Sequence, residues 1–323
     1  MSSSASIARF RDCRDLISTS QPASATSSAS PSTLLSPFAS THIEPHHHSP
    51  RHKATNPVLW NLQPSHKLTP NPSPRPPGNS ATAAEAKYYP SGPISLAGIA
   101  IRSFCLGISF LGSLAGSALL ALNADPLWRL PFFWAALSLF HFLEFWTTAA
   151  YNTPAATIGS FLLTANWPAY FIAHTFASVE CLLCNLAFRA WDVEFLPAAA
   201  TRLVVLIGFV LVLGGQAVRS LAMVTAGRSF NHVVQQQKRE THRLVTTGIY
   251  GVLRHPSYFG FFWWAIGTQV VLGNPLSFMV YALVMHKFFN DRIKREEEIL
   301  VRFFGRDYEV YRRRVGTKIP RIK

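Results

Sequence analysis

Acidic residues are scarce in this chain: 16 Asp and Glu among 323 residues, against 30 Lys and Arg. Charged residues of both signs make up only 14%, where an ordinary soluble domain carries about 25%. So little charge cannot cover the surface of a soluble domain of this length, which excludes most soluble folds. Cysteine is also rare, with four residues, too few for the framework of a small disulfide-stapled protein. Cys105, Cys181 and Cys184 lie in apolar segments. Cys181 and Cys184 form a C-x-x-C, but no second pair completes a zinc site, and one helical turn apart they suit ordinary packing. There is no apolar signal-peptide core near the start. Arg9, Arg11 and Arg14 give a basic beginning, but Asp12 and Asp15 interrupt what would be a transit peptide.

What the chain has is apolar sequence in blocks. Apolar residues reach 49%, yet the mean hydropathy is only +0.17, held down by a polar first stretch. Residues 1–90 are rich in Ser, Pro, Thr and Ala, with runs such as SATSSASPSTLLSP and NPSPRPPGNS. They carry too little apolar surface to offset the entropy of ordering, and read as a disordered tail. His46, His47 and His48 lie within it as a solvated low-complexity run. From residue 93 the pattern changes. Apolar spans over 94–120, 127–148, 160–186 and 202–225 are each long enough for a helix of about 20 residues across a bilayer. Two shorter runs, 257–272 and 276–289, flank Asn274-Pro275, a turn former, and read as a helical hairpin.

Charge sets the orientation. Residues 227–323 hold 17 Lys and Arg against 7 acids, most of the chain's net +14. No base-reading fold or motif accompanies this excess, so nucleic acid is not the partner it points to. Basic residues beside apolar spans mark a cytosolic face and its anionic lipids. The loop 226–256 and the C-terminal tail are both basic, and after an even number of crossings they share a side with the N-terminal tail. The fold class is therefore an all-α integral membrane protein with about six transmembrane helices. Its parts are the tail 1–90, the first four spans in 91–226, and a basic region with the helical hairpin in 227–323. There, DRIKREEEILVRFFGRDYEVYRRRVG forms an amphipathic helix after the hairpin, broken near Gly305 and lying on the membrane face or capping the hairpin.

Few polar residues stand at membrane depth. Glu144 and Glu180 do, and an acid there costs at least about 2.5 kcal/mol unless partnered. His141, three residues before Glu144, shares its helical face. A hydrogen-bonded pair holding helices together is one reading, a substrate or proton path the other. The second concentration is GIYGVLRHPSYFGFFWW. Pro256 starts the fifth span, leaving free amides beside Arg254, and a helix start next to arginine is an anion site. A basic boundary with an aromatic belt accounts for Arg254 and the tryptophans. It does not account for His242, Tyr250, His255 and Tyr258 gathered around one proline. Beyond the hairpin, Arg292 and Glu296 are four apart, on one helical face. Folded back, they would bring a cation and a carboxylate toward that helix start, as a zwitterionic ligand requires.

FNHVVQQQKRETHRLVTTGIYGVLRHPSYFGFFWWAIGTQVVLGNP, followed by FFNDRIKREEEILVRFFGRDYEVYRRRV, closely resembles the isoprenylcysteine carboxyl methyltransferases, over about residues 91–323 and most densely from Ser229. The six-segment layout resembles the fungal form. R-H-P-x-Y-x-G with a downstream Glu-Glu is shared with phospholipid methyltransferases and some sterol reductases. The longer run H-x-L-V-T-x-G-x-Y-x-x-x-R-H-P-S-Y, with W-x-x-G-T-Q and N-P, is much more specific. The resemblance implies a multi-pass enzyme of the endoplasmic reticulum membrane, with termini and active site cytosolic, that methylates the C-terminal prenylcysteine of processed C-a-a-X proteins. It implies S-adenosylmethionine held by Gln237, His242, Arg243, Leu244, Val245, Tyr250, His255, Pro256, Ser257, Tyr258 and Glu296. Arg292 matches the position that contacts prenylcysteine, and Arg254, the arginine of R-H-P, is expected to be essential. It implies no metal. Three alternatives stand beside it: a phospholipid N-methyltransferase, a sterol reductase, and a non-catalytic prenyl-protein receptor that retains the lipid groove.

Overall fold

A computed structural model describes residues 83–163, 167–191, 197–238 and 242–322; the tail expected over 1–90 lies, up to residue 82, outside them. The described residues are mainly helical, with no strand among them. Ser95 starts α1, Leu96–Leu122, by accepting the Gly98 amide on its hydroxyl at 3.0 Å. Helix α1 is largely apolar, and Phe104, Ile108, Leu111 and Leu119 are exposed on it, as a lipid-facing helix requires. Asp125 accepts the Leu127 amide at 2.9 Å and turns the chain into α2, Arg129–Tyr151. Helix α3 is Ala169–Trp191 and α4 is Ala198–Ala226. Helix α5, Pro256–Leu272, is followed by α6, Pro275–Phe304, and a short α7, Arg306–Arg314.

Two expectations change. The third span does not begin at 160: Ile158–Phe161 is a 3-10 turn and α3 starts only at Ala169. Pro168 explains this, since proline suits a helix's first turn and pushes the residue before it out of helical geometry. Nor is the amphipathic stretch a separate helix after 276–289. No proline or glycine intervenes, and α6 runs unbroken for 30 residues to Phe304. Gly305, at φ +53°, ends it before α7.

Among the described residues, three helical stretches, Leu96–Leu122, Ala169–Ala187 and Ala198–Ser229, are long and apolar enough to cross a membrane by length and composition. Apolar surface gains nothing by leaving lipid for a neighbouring helix, so close packing must supply the attraction. Helices α4 and α5 achieve it through glycine. A Cβ on Gly215 would lie 2.6 Å from the Gly260 carbonyl oxygen, and one on Gly260 2.6 Å from the Arg219 amide nitrogen. Gly208 and Gly267 repeat the arrangement two turns away, so the two backbones touch along a shared face.

At the far end of α5 the chain turns at Gly273, in the left-handed region at φ +73°. Glu180 of α3 then caps α6, accepting the Leu276 amide at 2.8 Å, the Ser277 amide at 2.7 Å and the Ser277 hydroxyl. A carboxylate at a helix N-terminus is well placed by both hydrogen bonding and the helix dipole. Helix α6 returns beside α5, where Phe262 and Ile266 pack with Phe289, Ile293, Ile319 and Ile322. The last of these belong to the C-terminal segment, which is folded against the pair.

Candidate active site

The start of α5 is where polar groups collect. His255 precedes the helix, Pro256 occupies its first turn, and the His255 carbonyl accepts the amides of Tyr258 and Phe259. That geometry presents the side chains of Arg254, His255 and Tyr258 toward α6, whose second half carries the matching groups. Tyr258 is central. Its hydroxyl accepts from Arg292 Nε at 2.8 Å and donates to Glu296 Oε2. Arg292 also donates through Nη2 to the His232 carbonyl, and its guanidinium lies 5.4 Å from the Tyr258 ring centre. The phenol thus stands between a cation and a carboxylate, with its ring stacked on His255 at 5.5 Å and on Phe289 at 5.2 Å.

Arg254 is bound behind this group. Its Nε donates to Glu297 Oε1 at 2.6 Å, and Nη1 to the carbonyls of Arg312 and Val315 at 3.0 and 2.8 Å. His255 Nε2 lies 3.2 Å from the same Glu297 oxygen. Burial alone would raise the Glu297 carboxyl, but hydrogen bonds and charge from His255 and Arg254 outweigh it and hold it below the ordinary carboxylate value. Glu297 also borders an open groove of about 660 Å³ between α6 and α7, lined by Lys294, Glu298, Val301, Arg302, Glu309 and Arg312.

The structure therefore draws Arg254, His255, Pro256, Ser257, Tyr258, Arg292 and Glu296 into one region. The other positions lie around it. Tyr250 donates from its hydroxyl to the Ala222 carbonyl of α4 at 3.3 Å and accepts on its own carbonyl from Tyr311 at 2.7 Å. Leu244 packs on Tyr308, Tyr311 and Val315. The His242 ring lies 6.4 Å from that of Phe303. Arg243 is exposed, with its amide 3.2 Å from Ser229 Oγ; Val245 is half-buried and Gln237 exposed. Arg292 and Glu296, expected on one helical face toward the start of α5, are joined there through the Tyr258 hydroxyl.

Sequence reasoning missed Glu297, Arg219 and His232. Glu297 had a visible signal, because it continues the buried stripe Phe289–Ile293 at four-residue spacing. Arg219 had none beyond being a cation inside an apolar span. The pairing read for Glu144 is also corrected. Its carboxylate bonds to Arg219 Nε and, at 2.7 Å, to Nη2, while the His141 ring sits against Phe140, Tyr170 and His174. A bidentate guanidinium outcompetes an imidazole for a buried carboxylate. His232 Nδ1 lies 3.6 Å from Glu144 Oε2. Burial, reinforced by Arg219 and Arg292 and opposed by Glu144, lowers His232 to about 4. At neutral pH this contact is thus not an ion pair.

Comparison with known proteins gives the family. The sequence model of the isoprenylcysteine carboxyl methyltransferase (ICMT) family matches residues 205–302. The chain is 49% identical over 187 residues to protein-S-isoprenylcysteine O-methyltransferase of Saccharomyces cerevisiae, covering 58% of this chain and 77% of that protein. The human enzyme of the same name is 39% identical over 226 residues, covering 70% and 75%. A solved eukaryotic intramembrane Ras methyltransferase, ICMT, superposes with a TM-score of 0.62 at 37% identity, covering 70% of this chain and 77% of that one. The helices and the polar junction at the start of α5 thus belong to a membrane-bound methyltransferase. This chain is a member of the isoprenylcysteine carboxyl methyltransferase family.

Proposed function

We propose that the chain transfers a methyl group from S-adenosylmethionine to the C-terminal carboxylate of prenylcysteine in processed C-a-a-X proteins. The observation that carries this is the Arg292–Tyr258–Glu296 junction, a cation and a carboxylate on either side of one phenol. When bound, S-adenosylmethionine supplies a methyl group on a sulfonium sulfur, which passes to a carboxylate oxygen as the sulfur–carbon bond breaks. The donor set suits it, because a carboxylate and aromatic faces side by side favour a sulfonium cation. Glu296, Tyr258 and His255 serve that end, with Ser257, Tyr250 and residues 242–245 and 237 around the remainder of the cofactor.

Arg292 has two nitrogens bonded to protein, and its Nη1 takes the acceptor carboxylate. That acceptor is ionised at neutral pH, with a pKa of about 3.5, so no residue has to act as a base. The protein's contribution is alignment and exclusion of water. Arg254, whose Nε and Nη1 go to Glu297 and two carbonyls, holds the start of α5 in place. The prenyl chain, at about 0.8 kcal/mol per buried CH2, stays in lipid and enters between helices.

The topology that goes with this is six crossings, α1 to α6, with α5 and α6 as the hairpin. Basic loops support a cytosolic side for both termini and the site, and the family resemblance supports the endoplasmic reticulum as the membrane. Membranes expressing the chain, given radiolabelled S-adenosylmethionine and prenylcysteine, phosphatidylethanolamine or a sterol, test the reading. Label in prenylcysteine methyl ester supports it. Label in the phospholipid, or in none of the three, overturns it.

A further inference from the structure

We propose that Glu144 and Arg219 are positioning residues for the methyl transfer, a role that rests on the activity proposed above. Both are nearly fully buried, with 1% and 5% exposed. The pair uses two of the three guanidinium nitrogens of Arg219, which suffices to staple α2 to α4. The third does something else. Arg219 Nη1 reaches the first turn of α5, at 2.9 Å from Ser257 Oγ and 3.2 Å from the Ser257 carbonyl. Rings of Phe140 and Phe261, 5.4 and 5.1 Å from the guanidinium carbon, fix its plane. With its donors directed inward, Arg219 acts on the residue between Pro256 and Tyr258 and not on substrate.

Glu144 reaches the other side of the same site. Its Oε2 faces His232 Nδ1 at 3.6 Å, and the His232 ring is held by Thr148 Oγ1 at 3.1 Å. The His232 carbonyl in turn accepts from Arg292 Nη2. One buried ion pair therefore touches both neighbours of the Arg292–Tyr258 hydrogen bond: Ser257 on α5, and the loop residue that steers Arg292. Planar, bidentate pairing gives this arrangement a direction that a single ammonium contact lacks. Small displacements at a reacting centre are costly in rate, so the pair's effect is on the angle at which Arg292 presents its remaining nitrogen.

The test uses the full chain in lipid nanodiscs, with S-adenosylmethionine binding measured separately from methylation of N-acetyl-S-farnesylcysteine. If the parent does not methylate that acceptor, the activity reading fails and this inference falls with it. If the parent does, Glu144→Gln and Arg219→Lys are expected to bind cofactor within about tenfold of the parent while losing at least about thirtyfold in kcat/KM for the acceptor. Arg292→Lys should also cost at least about tenfold less in the Glu144→Gln background than in the parent, since coupled residues are not additive. Parent-like kinetics per cofactor-binding site, or additive losses, would reduce the pair to a helix staple and overturn the proposal. Should either variant fail to insert, His232→Ala leaves the ion pair intact and carries the same expectation. A His232→Ala protein with parent kinetics refutes the link to Arg292.

Discussion

Arg254 and Glu297 are bonded at 2.6 Å between Nε and Oε1, with 7% and 8% of the two residues exposed. The Arg254 amide meanwhile donates to the Gly316 carbonyl at 2.9 Å, and Nη1 to Arg312 and Val315. The R-H-P segment is thereby tied to α6 and to the C-terminal segment at once. Truncating one partner of such a pair strands the other, and the loss exceeds what the pair itself contributes.

Arg254→Lys should accordingly fail. A lysine ammonium cannot serve a carboxylate and two carbonyls in the planes a guanidinium fills. We expect turnover to fall at least about tenfold, and Arg254→Ala to cost about 3–5 kcal/mol of stability. Turnover and thermal unfolding in nanodiscs measure both. A lysine variant with parent turnover would show that Arg254 matters only as a positive charge.

The sequence displayed the start of α5 and the Arg292/Glu296 face because both are local: a proline at a helix start, and two charges at four-residue spacing. Glu180 and Glu144 were visible as costly acids, but their partners were not. Glu180 caps a helix 96 residues away, and Glu144 bonds Arg219, 75 residues away. Which distant element satisfies a buried charge depends on how helices pack, and that depends on glycine contacts such as Gly215 with Gly260. The unbroken α6 was missed for a different reason. Its composition changes from apolar to charged near residue 290, and a change of environment along one helix resembles a change of element.

Gly260→Ala tests the close approach of α4 and α5. The added methyl would stand 2.6 Å from both the Arg219 amide nitrogen and the Gly215 carbonyl oxygen, so the helices must separate. Overpacking of this kind costs about 1–3 kcal/mol. Thermal unfolding of the variant should fall correspondingly, whereas Gly214→Ala, where a Cβ meets nothing within 4 Å, should not lower it, since alanine favours a helix interior over glycine.

His232 gives a pH dependence with a definite sign. Its folded-state value is lowered from 6.5 to about 4 by burial beside Arg219 and Arg292, with Glu144 opposing. The unfolded chain therefore binds the proton first. Stability should be flat above pH 6.5 and fall as pH drops from 6.5 toward 4, with a slope of up to about 1.4 kcal/mol per pH unit. Glu297, also lowered, adds a loss at more acid pH as its carboxylate is protonated. Unfolding midpoints of the parent and His232→Gln, compared between pH 7 and 5, isolate the histidine: the variant's curve should be the flatter one.

The proposed site is two-sided, with Glu296 toward the cofactor and Arg292 toward prenylcysteine. Measuring S-adenosylmethionine affinity and prenylcysteine kinetics separately for Glu296→Gln and Arg292→Ala tests it most directly. Glu296→Gln should weaken cofactor binding at least about tenfold, while Arg292→Ala should raise KM or lower kcat for the acceptor and change cofactor affinity less. If both variants bind cofactor and turn over prenylcysteine as the parent does, the two residues are surface charges worth at most about 1 kcal/mol, and the site lies elsewhere.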